Sequence, residues 1–199
     1  MKHLKILGLA AVAAAALMAF AGAGTATADE LCSEAPTGSM CPGTSHITTI
    51  TASQVGTRAL TTTGGAALVE CTGGDIHITI SSDGTGTSDV GGTVNSLGFT
   101  GCNHTVTTIQ PGTATASHGA NGGTTLSSSG GEVTTAILGV SCTYGTGAST
   151  DLGEVNTNGE ISFSVGVTKT AGSGLCPATA TWDGVWQVTS VTHVHYLTN

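Results

Sequence analysis

Glu160-Ile-Ser-Phe-Ser-Val-Gly-Val-Thr-Lys-Thr170 is the stretch whose reading decides the fold. Ile161, Phe163, Val165 and Val167 alternate with Ser162, Ser164, Gly166 and Thr168. A period of two puts the apolar side chains on one face of a strand and the small polar ones on the other. On either side in sequence lie 133–144 and 179–190, and the second run holds both tryptophans, Trp182 and Trp186. These three runs have the best apolar content in the chain and predict a core sheet.

Working outward, shorter strands are expected at 47–53, 57–62, 66–71, 75–81, 93–100, 104–109, 113–118 and 193–197. Gly, Ser, Thr and Asp dominate 83–92, 119–131 and 145–159, which read as loops, the second with room for one short strand. No amphipathic helix is evident. The pattern predicts an all-β chain, a single-domain antiparallel β-sandwich of immunoglobulin-like or jelly-roll-like type, over 47–199. Residues 29–46, with Pro36, Pro42 and several Gly, read as a turn-rich N-terminal arm.

The first 28 residues read as an address. Lys2, His3 and Lys5 precede an apolar run at 6–21, and Ala26-Thr-Ala28 gives the small-x-small pattern of a signal peptide cleaved after Ala28. The expected mature protein is secreted. No later stretch approaches the roughly 20 apolar residues of a spanning helix. Removing the leader leaves Arg58 and Lys169 against 12 acidic residues, a formal charge of −10. That balance argues against nucleic acid and anionic membrane as partners, because both demand clustered Lys and Arg.

Cys32, Cys41, Cys71, Cys102, Cys142 and Cys176 all follow the leader, and outside the cell an even set reads as three disulfides. Six cysteines allow 15 pairings, and sequence alone proves none. An internal similarity favours one. Cys71-Thr-Gly-Gly and Cys142-Thr-Tyr-Gly each open a segment with a strictly alternating strand that closes on another cysteine, Cys102 or Cys176. Cys32 and Cys41 are then left for each other.

Sites of chemistry are scarce. His193 and His195 share a strand face and are weak metal candidates, with His77 or a loop carboxylate as third ligand; the favoured reading is two edge-strand imidazoles satisfied by water or backbone, and no metal is expected. The acidic run 151–160 offers oxygen ligands for calcium but lacks the EF-hand spacing. Neither Gly-x-Ser-x-Gly nor His-Glu-x-x-His occurs, and no cofactor is implied. Trp182 and Trp186, four apart on a strand, point to one face and read as core. Asn103-His-Thr105 fits the N-glycosylation pattern.

Three segments carry a likeness: Gly92-Thr-Val-Asn-Ser-Leu-Gly-Phe-Thr-Gly-Cys102, Val140-Ser-Cys-Thr-Tyr-Gly145 and Leu175-Cys-Pro-Ala-Thr-Ala-Thr-Trp182. They resemble a group of secreted bacterial proteins of unknown function, over most of 66–198. The resemblance implies the β-sandwich and the two long disulfides, and brings no activity with it. In composition alone the chain is similar to the secreted chromophore carriers of the neocarzinostatin type. The leading expectation is a non-catalytic, disulfide-braced extracellular domain that works through its surface, at the cell envelope or in the medium. A second is a carrier of a small apolar molecule in a crevice near Trp182, Trp186 or Tyr196. A third is a hydrolase acting on extracellular polymers.

Overall fold

A computed structural model describes residues 29–37, 41–82, 89–118, 124–137 and 139–197. The expected leader and its cleavage point after Ala28 lie outside these residues, as does Asp83. The strands are β1 (Glu30–Cys32), β2 (Thr49–Gln54), β3 (Arg58–Thr62), β4 (Ala67–Cys71), β5 (Gly73–Ser82), β6 (Val90–Thr100), β7 (Val106–Gln110) and β8 (Thr113–His118). They continue as β9 (Thr124–Ser129), β10 (Glu132–Ile137), β11 (Val140–Gly145), β12 (Thr150–Val155), β13 (Glu160–Gly172), β14 (Thr179–Val188) and β15 (His195–Leu197). The protein is all-β and antiparallel, with no helix among the described residues.

The decisive stretch is β13, and it pairs along its length with β14, from Glu160↔Gln187 to Thr168↔Thr179. This hairpin is the spine of the molecule. Around its first half the hydrogen-bonded order β14-β2-β5-β6-β8-β9-β12-β13 returns to β14, closing an eight-stranded barrel. Closure replaces the expected sandwich of two separate layers. The reason lies in strands that composition hides. β9 and β12, in stretches read as loops, pair with each other from Thr150↔Ser128 to Val155↔Thr124 and complete the ring. A bulge between Asp151 and Gly153 interrupts the alternation of β12 and makes Leu152 the extra residue.

Around the other half of the spine a second sheet fans out. β3 and then β4 extend from β14 at Ala180–Asp183, while β11, β10 and β7 extend from β13 at its C-terminal end. The run 133–144, expected as one strand, is a hairpin. Gly139 adopts φ +79°, a left-handed conformation that favours glycine, and Ile137 pairs with Val140 across the turn.

Each half of the spine serves its own core. Ile161, Trp186 and Val188 pack with Ile50, Ile78, Val90 and Val94 in the barrel. Val165, Val167, Ala180 and Trp182 pack with Leu60, Val69, Ile137 and Tyr144 in the second sheet. Phe99 and Phe163 pack against both. Phe163 lies opposite Gly184 in β14, and a methyl at Gly184 would overlap its ring. The absence of a side chain there lets the Phe163 ring lie across β14 between the two tryptophans.

Three disulfides join Cys32 to Cys41, Cys71 to Cys102 and Cys142 to Cys176, the same pairs the internal similarity favours. The first closes the N-terminal arm, whose β1 pairs with β15 and whose Leu31 enters the barrel core beside Ile47 and Val194.

Candidate functional site

The two cores do not fill the space between them. A cavity of ≈ 150 Å³ runs from the barrel interior toward the second sheet. β13 contributes Ile161, Phe163, Val165 and Val167, so the alternation that makes the strand also paints one wall of the cavity. β14 adds Trp182 and Trp186, and β5 and β6 add Ile76, Ile78, Val94, Leu97 and Phe99. The Phe99 ring stands 4.8 Å from Trp182 and 6.5 Å from Trp186, tilted to one and edge-on to the other. Offset and edge geometries of this kind are the favoured ones for aromatic pairs.

Apart from the indole N–H groups of Trp182 and Trp186, polar side chains on the wall number three and lie on β9, on β11 and just past it: Ser128, Tyr144 and Thr146. The Tyr144 hydroxyl donates to the Pro177 carbonyl at 3.2 Å, and burial raises its pKa above the ordinary tyrosine value. Thr146 Oγ1 accepts the Gly131 N–H at 3.1 Å and lies 3.5 Å from Ser128 Oγ. No carboxylate, imidazole, lysine or arginine lines the cavity among the described residues. The wall therefore offers apolar contact and a few neutral hydrogen bonds, and no base or nucleophile activated by a charged partner.

The other candidates fall elsewhere. His193 and His195 have ring centroids 6.2 Å apart, and His193 Nδ1 lies 3.3 Å from the Thr157 carbonyl. Among the described residues neither joins a group of three potential ligands; the one such group is Glu30, Cys41 and His46. Cys41 is bonded to Cys32 there and supplies no thiolate, while Glu30 and His46 form an ion pair at 3.1 Å. His77 is on the barrel, 3.2 Å from the Thr51 hydroxyl and 3.6 Å from Asp75. That hydroxyl–imidazole–carboxylate row is about half-exposed to solvent and contributes nothing to the cavity wall.

The acidic run 151–160 is strand and turn. Asp151 Oδ1 accepts the Gly153 N–H, and Asn156 Oδ1 accepts those of Asn158 and Glu160, so two of its oxygens already hold the backbone. Tyr196 is outside the cavity: its hydroxyl donates to buried Asp29 at 3.2 Å in the arm. Asn103 Oδ1 accepts the Glu70 N–H at 2.9 Å, which ties its amide to β4.

Trp182 and Trp186 were legible as inward-facing residues, but their neighbours on the wall were not. Phe99 gave a signal of a kind, since it is one of only three phenylalanines and ends an alternating run in β6. Ser128 gave none, standing in Ser127-Ser-Ser129 with no apolar period beside it. Comparison of the chain with known protein families, curated proteins and solved structures finds no match.

Proposed function

We propose that this protein is a non-catalytic, secreted carrier that holds a small apolar ligand between the barrel and the second sheet. The observation that carries the reading is the aromatic-walled cavity and its lack of charged groups. An engineered cavity of about 150 Å³ with Leu, Ile and Phe walls stays dry and takes up benzene or xenon, so a ligand of one or two small rings fits. Burying roughly 200 Å² of such a ligand at about 25 cal/mol/Å² contributes about 5 kcal/mol, a Kd of a few tenths of a millimolar. Export is supported by the leader-like start and by three disulfides, which persist in oxidising compartments.

Both tryptophans of the protein line the cavity, so their emission reports occupancy directly. Titration with toluene should give a saturable change in tryptophan fluorescence. Filling the space with Ala114→Phe, on the wall in β8, should abolish that change while leaving the β-sheet circular dichroism intact. A linear, non-saturable response in the unaltered protein would refute the carrier reading.

A further inference from the structure

The cavity is uniform except in one quarter, and that exception says something about the molecule it holds. Ser128 stands where β9 faces the cavity, and its hydroxyl has Thr146 as neighbour at 3.5 Å. Thr146 Oγ1 is already an acceptor for the Gly131 N–H. Two hydroxyls that share one hydrogen bond use one of their two protons between them. Whichever way that bond runs, the other O–H remains to donate. Tyr144, the third polar side chain, has its proton committed to the Pro177 carbonyl. The wall therefore presents a spare neutral donor at Ser128/Thr146 and apolar or aromatic surface along the rest of its length.

Resting on the carrier reading, we infer that the ligand is a neutral aromatic or similarly flat molecule with one oxygen acceptor at one end, such as a ketone, aldehyde or ester carbonyl. Its body lies against Phe99, Phe163 and the two tryptophans, and its oxygen takes the hydroxyl proton at Ser128/Thr146. A donor left without an acceptor in an apolar site costs free energy, and a matching oxygen recovers it. A carboxylate is disfavoured, because no Lys or Arg lines the wall to compensate its charge.

The test is a cycle of two proteins and two probes of nearly equal size, acetophenone and isopropylbenzene, with benzoate as the charged control. Water solubility differs between the probes, so the quantity read is the effect on each Kd of removing both hydroxyls, Ser128→Ala with Thr146→Val. The double variant should weaken acetophenone by roughly three- to tenfold and leave isopropylbenzene within about twofold, while Ser128→Thr keeps the wild-type ratio. Benzoate should not bind at a concentration that saturates with acetophenone. If the double variant moves both neutral probes equally, or if benzoate binds as well as acetophenone, the polar anchor is wrong and the carrier reading stands. If neither neutral probe binds the unaltered protein, both fall together.

Discussion

The two halves built on the β13–β14 spine solve one problem in different ways. The barrel closes on itself, and eight strands each find two neighbours through backbone hydrogen bonds. Closure leaves no edge to protect. The second sheet stops at β4 on one side and β7 on the other, so it has two edges. Both long disulfides belong to this open half: Cys71, Cys142 and Cys176 are buried in its core, and Cys102 packs against it. The remaining disulfide, Cys32–Cys41, lies within the arm and packs in a small cluster with Leu197 of β15. Where hydrogen bonding cannot complete a ring, covalent bonds hold the sheet to its neighbours.

That contrast is broken most directly by removing cystines one at a time. Cys142→Ala with Cys176→Ala opens a loop with a sequence separation of 34, whereas Cys32→Ala with Cys41→Ala opens one of 9. In the chain-entropy picture the longer loop contributes about 3–4 kcal/mol and the shorter somewhat under 3. Denaturant unfolding should rank the variants in that order. Hydrogen exchange should show β10 and β11 losing protection in the first variant while β5 and β6 keep theirs. Equal loss of protection in both halves would mean that the spine couples them too tightly for the open sheet to fail alone. The shared rings of Phe99 and Phe163 are where such coupling would reside.

A smaller effect sharpens the same point at the β4 edge. The Glu70 N–H donates to Asn103 Oδ1, and the Asn103 N–H donates to the Glu70 carbonyl, both at 2.9 Å. These bonds cap the edge strand beside the Cys71–Cys102 link. Asn103→Ala removes one of them at an exposed position, with an expected cost of about 0.5–1 kcal/mol. Exchange at the Glu70 amide should accelerate severalfold, and the barrel amides should be unaffected. An unchanged Glu70 rate would show that the covalent link alone secures the edge.

Much of this architecture is legible in the sequence. The alternation in β13 and β14 gave the spine because both strands bury one face and expose the other. Barrel closure was hidden because it depends on β9 and β12, which contain few apolar residues. β9 offers Leu126 alone, and in β12 the apolar Leu152 and Val155 stand three apart, a spacing no strand template expects, with a bulge at Leu152. The cavity was half-legible for a similar reason. Period two identifies which residues face inward, as for Trp182 and Trp186, but it does not say whether the inward faces meet. A gap arises from the distance between walls, and that distance is set by strand number and stagger around the ring.

Each half also contains one of the two tyrosines, and their titration compares the interiors by a different measure. Burial raises the Tyr144 pKa in the open half. Tyr196, on β15 against the arm, is raised further: burial is the largest cause, followed by the charge of Asp29 and the hydrogen bond donated to it. A phenol whose folded pKa exceeds its unfolded value of about 10 favours the folded state only while it is neutral. Below pH 10 the phenol is neutral in both states and its contribution is fully present. As pH rises from 10 through the folded pKa, the unfolded chain ionises first and the native state loses stability. Spectrophotometric titration of the native protein should therefore show both phenolates forming above the ordinary tyrosine range, Tyr196 after Tyr144. Tyr196→Phe should flatten the fall in stability above pH 10 more than Tyr144→Phe does. If the order is reversed, the arm is more open to solvent than the second core, and the closed half is the less protected of the two.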